Sequence, residues 1–273
     1  MEKTLYISDL DGTLLRNNAA LSPYTVDVLR RKIAGGLRFS YATARSRASV
    51  VNVTGGFMPD LPIITNNGVF ICDLKTDKRL HGCYMDKEKV LPLHRAIREN
   101  NIPVFVYAFI DGRERVSWIR GTENAGMRAY LRDRHGDQRL RPVDDWGPLF
   151  DGDIFYHTII EERDKASHLL NLCNQTAYCR YSLIQDTYNT DEWWLEIFRH
   201  DASKAAALLK LKSMLGFDRV VAFGDNLNDI SMFECSDACY AVANAHPALR
   251  KIATGVIGSN EEDGVANWLL EHA

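Results

Sequence analysis

Short apolar runs alternate with longer stretches of helical periodicity through the first third of the chain. Leu5-Tyr6-Ile7-Ser8 reads as a buried strand. Ser22-Pro23 then supplies an N-cap and a proline at the first helical position; Val26, Leu29 and Ile33 follow at helical spacing, and Gly35-Gly36 ends the helix. Residues 37–42 read as a second strand closing at Thr43. A third, Pro62-Ile63-Ile64, runs into Thr65-Asn66-Asn67-Gly68. Strand–helix–strand spacing of this kind predicts a parallel sheet with right-handed crossovers.

The last third repeats the pattern. Residues 205–215 read as a helix with Gly216 after it, and residues 220–223 as a strand. Residues 239–242 and 255–257 look like further strands, and Asn260 precedes a final helix carrying Val265, Trp268 and Leu269. The middle differs. Candidate strands at 104–109, 116–119 and 153–160 mix with helical stretches around 87–100, 122–134 and 162–175, and aromatic and charged residues are dense. The predicted fold is α/β: a Rossmann-like parallel-sheet core made of residues 1–83 and 199–273, with an inserted α+β domain at 84–198.

Composition narrows the function classes. A chain of 273 residues, 46% apolar and 25% charged, has the make-up of a soluble globular protein able to bury a sizeable core. A net charge of −3 gives no global basic field for nucleic acid. No apolar run approaches the roughly 20 residues of a membrane span, and no cleavable apolar segment is read at the N-terminus. The six cysteines show no CxxC spacing and read as reduced, mostly buried thiols, which points to the cytoplasm.

Two acidic motifs carry the chemistry: Asp9-Leu10-Asp11-Gly12-Thr13-Leu14 and Gly224-Asp225-Asn226-Leu227-Asn228-Asp229. Each follows a predicted buried strand, and in a parallel α/β sheet the residues just past the strand C-termini line the ligand crevice. Several carboxylates there repel one another unless a cation sits among them. Hard oxygen donors without Cys or His suit Mg²⁺. A carboxylate nucleophile beside a metal-binding carboxylate is an arrangement for aspartyl-phosphate chemistry, so the residues point to phosphoryl transfer.

Those two motifs, with Thr43 and Lys204 between them, resemble the four motifs of the haloacid dehalogenase (HAD) superfamily. The insertion between Thr43 and Lys204 resembles the α/β cap of its Cof-type (subfamily IIB) phosphatases. Asn67-Gly68 and Ser259-Asn260-Glu261-Glu262-Asp263-Gly264-Val265-Ala266 match that branch as well. The family often has Ala-Thr-Gly-Arg where this chain has Ala42-Thr43-Ala44-Arg45, and a glycine in the loop that here reads His200-Asp201-Ala202-Ser203.

The resemblance implies a Mg²⁺-dependent phosphatase of small phosphate monoesters, sugar phosphates foremost, working through an aspartyl-phosphate. Asp9 is the expected nucleophile and a metal ligand. Asp11 is the expected general acid and base, its backbone carbonyl binding the metal. Asp225 is the expected third ligand, and Asp229 binds through water or orients Lys204. Thr43, Lys204, Asn228, Arg45 and Asn67 are the expected phosphate- or substrate-binding residues, Arg45 and Asn67 at the crevice rim. The cap is expected to carry specificity, with Trp118, Arg120 and Tyr130 in reach of substrate. Trp193-Trp194 is read as packing, and His157, His168 and His200 as structural or exposed.

The expected partner is a small phosphate ester, with no nucleic acid and no membrane, for a monomer or weak homo-oligomer. Two other readings use the same motifs. A phosphomutase of the phosphomannomutase type would isomerise its substrate instead of releasing phosphate. A non-catalytic regulator would hold a phosphometabolite without turnover.

Overall fold

The first segment runs β1 (Thr4–Ser8), α1 (Pro23–Ala34), β2 (Phe39–Tyr41), α2 (Arg47–Val53), β3 (Ile63–Thr65), β4 (Phe70–Asp73) and β5 (Lys78–Gly82). The structure, a computed structural model, describes residues 2–186 and 189–273. The middle segment comprises α3 (Leu91–Glu99), β6 (Phe105–Ile110), β7 (Arg113–Ile119), α4 (Ala125–Asp133), β8 (Leu140–Val143), α5 (Trp146–Leu149), β9 (Asp153–Glu161), α6 (Arg163–Cys173), β10 (Cys179–Gln185) and β11 (Trp193–Arg199). The last contains α7 (Lys204–Leu215), β12 (Arg219–Gly224), α8 (Ile230–Glu234), β13 (Ala238–Val242), α9 (Pro247–Ile252), β14 (Gly255–Ile257) and α10 (Gly264–His272). The described residues up to Gly82 join Ala202–Ala273 in one compact unit, and Cys83–Asp201 form another.

The first unit is built on a parallel five-stranded sheet in the order β14-β13-β12-β1-β2. Ala42 bridges Ile64 in parallel and so leads the sheet edge toward β3, which then pairs antiparallel with β4, and β4 with β5. The central strands are apolar on both faces, with Leu5, Ile7, Phe39 and Phe223 all buried, as helices on both faces of a parallel sheet require. The second unit carries a six-stranded sheet, β10-β11-β9-β6-β7-β8, antiparallel except for the β7–β8 pair. The fold is thus α/β with an additional antiparallel-sheet unit inserted between β5 and α7.

The punctuation residues act as the sequence suggests. Ser22 Oγ accepts from Thr25 N–H at the start of α1. Gly216 ends α7 in the left-handed region, φ +66°, which glycine enters without steric cost. The buried face of α1 is rotated from the expected one: Thr25, Val28 and Leu29 face inward, while Val26 and Ile33 are only half-buried. The helix leans on Thr25 because its hydroxyl bonds Asp263, a tertiary contact that periodicity cannot show. Helices α3, α4 and α6 are shorter than the periodic stretches that predicted them. Asn124, for example, caps α4 by accepting from Met127 N–H and so fixes its start. Among the described residues no disulfide joins any of the six cysteines, and no helix is long and apolar enough to cross a membrane.

Candidate active site

Strand pairing carries the chain directly into the site. Asp9 N–H still donates to Phe223 O across β1 and β12 (2.9 Å), so Asp9 sits at the strand end with no slack between sheet and carboxylate. The chain then turns at Gly12, φ +71°. A Cβ there would lie 2.3 Å from Asp225 Oδ2, so only glycine lets the two acidic loops approach this closely. Thr13 Oγ1 donates to Asp225 Oδ1 (3.0 Å), and His246 N–H donates to Asp225 O (2.7 Å), fixing the second loop against the first.

Asp229 is wholly buried and spends both oxygens on its neighbours. Oδ2 accepts from the backbone N–H groups of Asp225 (3.0 Å) and Asn226 (3.1 Å), and Oδ1 accepts from Lys204 Nζ (2.7 Å). Leu227–Asp229 form a short 3₁₀ turn, closed by a reciprocal cap between Asn226 and Asp229. Lys204, in the first turn of α7, reaches Asp9 Oδ1 at 2.8 Å and is itself 2% exposed.

This cluster is short of positive charge. Asp9, Asp225 and Asp229 each place an oxygen within 4.8 Å of the others, and Lys204 is the buried cation among them. Burial, opposed by Lys204 and reinforced by Asp229 and Asp11, pushes the Asp9 carboxyl up to about 7. Burial and the charges of Asp9 and Asp229 hold Asp225 well above the usual carboxylate range. Burial disfavours the Lys204 ammonium, but Asp229 and Asp9 outweigh it and raise its pKa. Three carboxylates against one ammonium, all with oxygen donors, fit a hard divalent cation.

The remaining expected residues gather beside this cluster. Asp11 faces Arg45, whose Nε and Nη2 grip both its oxygens at 2.6–3.0 Å. Thr43 is fully buried at the end of β2, and its Oγ1 accepts from Arg45 N–H (3.1 Å). Asn67 Oδ1 accepts from Asn228 Nδ2 (3.1 Å). Ala44, where the family often has glycine, is not in the left-handed region, so alanine fits this backbone.

Two residues outside the expected set also hold the site. Asn244 Nδ2 donates to Gly12 O (2.7 Å), and its Oδ1 accepts from Asn260 N–H (3.1 Å), which ties the Asp11–Gly12 turn to the C-terminal segment. Asn244 lies just past β13, so the strand-end rule that flagged Asp9 and Asp225 would have flagged it too.

The parallel sheet gathers its acidic strand ends around a buried lysine, and with a family model and curated phosphatase relatives matching nearly the whole chain, the protein is a phosphoric monoester hydrolase. The chain belongs to the haloacid dehalogenase-like hydrolase family, whose model matches residues 6–269, and to its Cof-type phosphatases. Among curated relatives, the 5-amino-6-(5-phospho-D-ribitylamino)uracil phosphatase YitU of Bacillus subtilis is 38% identical, with 97% of this chain and 95% of the relative covered. The pyridoxal phosphate phosphatase YbhA of Escherichia coli is 27% identical over 97% of this chain and 96% of its own length. Among solved structures, a Thermotoga maritima protein superposes with a TM-score of 0.80 at 22% identity, covering 100% of this chain and 98% of the other, a likeness of fold.

Proposed function

We propose that the protein is a Mg²⁺-dependent phosphatase of small phosphate monoesters that works through an aspartyl-phosphate on Asp9. The observation that carries this reading is the buried Lys204 bridging Asp9 and Asp229 while Asp225 stands beside them. Asp9 attacks phosphorus in line, the ester P–O bond breaks, and Asp11 gives its proton to the departing alcohol. Asp11 then takes a proton from water as that water attacks phosphorus, the bond to Asp9 breaks, and inorganic phosphate leaves. Lys204 pins one oxygen of Asp9 and so fixes the plane of the nucleophile. Thr43, whose oxygen is occupied by Arg45 N–H, turns its own hydroxyl hydrogen to a phosphoryl oxygen. Asn228 donates to the same group.

Asp9, Asp225 and the Asp11 carbonyl would hold Mg²⁺ directly and Asp229 through water; when bound, the ion neutralises charge on the phosphoryl oxygens. Asp229, with both oxygens engaged, acts mainly by orienting Lys204 and the Asp225 loop. We assign Cys83–Asp201 as the cap that selects the leaving group. The substrate class is sugar or sugar-alcohol phosphates. The named substrate of the 38% identical relative, with its phosphoribityl chain, supports this choice. Six cysteines with no disulfide among them support a cytoplasmic setting.

The test is phosphate release from a panel of sugar phosphates, phosphorylated cofactors and nucleotides, with Mg²⁺ or EDTA, and Asp9→Asn as control. Mg²⁺-dependent release abolished in the folded variant is expected. Release that survives in Asp9→Asn removes the nucleophile assignment, and an isomerised product without phosphate release indicates a mutase.

A further inference from the structure

The turn Asn66-Asn67-Gly68 runs through the left-handed region at three successive residues, with φ +51°, +53° and +93°. Two adjacent non-glycine residues there are uncommon, and such a conformation persists only where its surroundings over-determine it. The surroundings do so here. Asn66 N–H donates to Arg45 O and Asn67 N–H to Thr43 O, both at 3.0 Å. Gly68 approaches α7 so closely that a Cβ would lie 2.0 Å from Ser203 O and 2.8 Å from Lys204 N. The Asn67 side chain, 3% exposed, meets Asn228. One strained turn therefore touches the loop bearing Thr43, the helix bearing Lys204 and the turn bearing Asn228.

We propose that Asn67 is a positioning residue that acts on the phosphoryl group through Asn228, not as a phosphate ligand itself. This rests on the phosphoryl-transfer reading above. Asn228 stands half-buried on a three-residue 3₁₀ turn, where its side chain would otherwise sample several rotamers. Its Nδ2 is committed to a buried acceptor on a fixed backbone, which sets the direction of the whole amide plane before substrate arrives. Asn67 has its backbone N–H bound to Thr43 O, so the two phosphate-binding candidates Thr43 and Asn228 are held in register by a single residue.

Glycine takes φ +53° without strain, so Asn67→Gly removes the amide and keeps the turn. Its melting temperature is expected within about 3 °C of wild type, while kcat falls about tenfold and KM changes less. Asn228→Ala is expected to show a similar loss. The double variant should be no worse than Asn228→Ala within about twofold, because both substitutions remove one linkage. Losses that multiply overturn the proposal, as does a fully active Asn67→Gly. If Asn67→Gly fails to fold, Asn228→Asp tests the same bond from the other side by facing Asn67 Oδ1 with an oxygen; unaltered kinetics overturn the proposal.

The same cycle is run on Mg²⁺-dependent binding of inorganic phosphate by calorimetry. A wild type that binds phosphate with a non-additive cycle but hydrolyses no ester sinks the phosphatase reading and leaves the inference standing. An additive binding cycle sinks the inference alone, and no phosphate binding by wild type sinks both.

Discussion

Arg45 and Asp11 form a two-pronged ion pair, with Nε 2.7 Å from Oδ2 and Nη2 2.6 Å from Oδ1. Arg45 Nη1 is braced in turn on Ser49 Oγ of α2 at 2.9 Å. The planar fork matches the plane of the carboxylate and sets its orientation, which a lysine cannot reproduce. The guanidinium thus meets the residue proposed to handle the proton, two positions along from the nucleophile.

Arg45→Lys is therefore expected to slow turnover in a way that depends on the leaving group. A general acid contributes roughly 10²–10⁴-fold, and misplacing it should forfeit about tenfold or more of that. Alkyl phosphates, whose alkoxides need a proton, should lose most. p-Nitrophenyl phosphate, whose phenolate leaves unaided, should lose little. Steady-state kinetics on both substrates decide it: an equal loss in KM on each would mean that Arg45 binds phosphate instead.

The parallel core was legible because its strands are short apolar runs, and β1, β2 and β12 are closed by Asp9, Thr43 and Gly224-Asp225. The inserted unit was less so. β10 and β11 mix Arg180, Ser182 and Glu196 with Trp193 and Trp194, and their pairing is non-local, so no short-range period marks them. In the site, Asp9 and Asp225 stand beside strands and could be read directly. Lys204 carries meaning only once α7 brings its amine between Asp9 and Asp229, which lie 195 and 25 residues away. Asn244 could be placed at a strand end from the sequence but its role could not: an asparagine becomes a backbone clamp only when a tertiary carbonyl, here Gly12 O, reaches it.

Lys204→Met should separate the lysine's structural work from its chemistry. Removing one partner of a buried ion pair strands the other, at a typical cost of about 3–5 kcal/mol. At pH 8 the variant should lose about that much stability. Near pH 5.5 the loss should be smaller, because Asp9, already pushed up to about 7, can take a proton. Denaturant titrations at the two pH values measure the difference, and an equal loss at both would show that the carboxylates do not feel the missing ammonium. Turnover should be lost at either pH.

In the inserted unit, His94 and His157 meet through their Nε2 atoms at 3.1 Å, so one ring donates and the other accepts. His94 also stacks on Phe150 at 3.9 Å. Burial pushes His94 down to about 4, and burial with the His94 charge holds His157 well below the usual histidine range. Both folded values lie under the unfolded value of about 6.5. The stability they carry is therefore present above that pH and drains away as pH falls toward 4. Thermal melts from pH 7 to 4.5 should show this acid limb, and His94→Gln should flatten it; a slope identical to wild type would remove the pair as its source.

The acidic trio predicts the opposite slope. Asp9 at about 7 lies above the 3.8 of an unburied side chain, so the folded chain holds that proton more tightly than the unfolded one. The associated stability is complete below about pH 4 and is lost as pH rises through 7, and Asp225 shifts in the same direction. With EDTA the Asp9 contribution should therefore drain away between about pH 4 and 7, opposing the acid limb of the histidines in that range, so the two slopes are separated by running the same melts on His94→Gln. Added Mg²⁺ should recover most of that loss at pH 8 and add little near pH 5, since ion and proton neutralise the same oxygens. A Mg²⁺ gain that is equal at both pH values would take the trio off the ligand list. Asp225→Asn sharpens the test, because it removes one charge that the cation balances and leaves the Lys204 bridge in place. It should flatten the pH slope and raise the Mg²⁺ concentration needed for half-saturation by at least about tenfold.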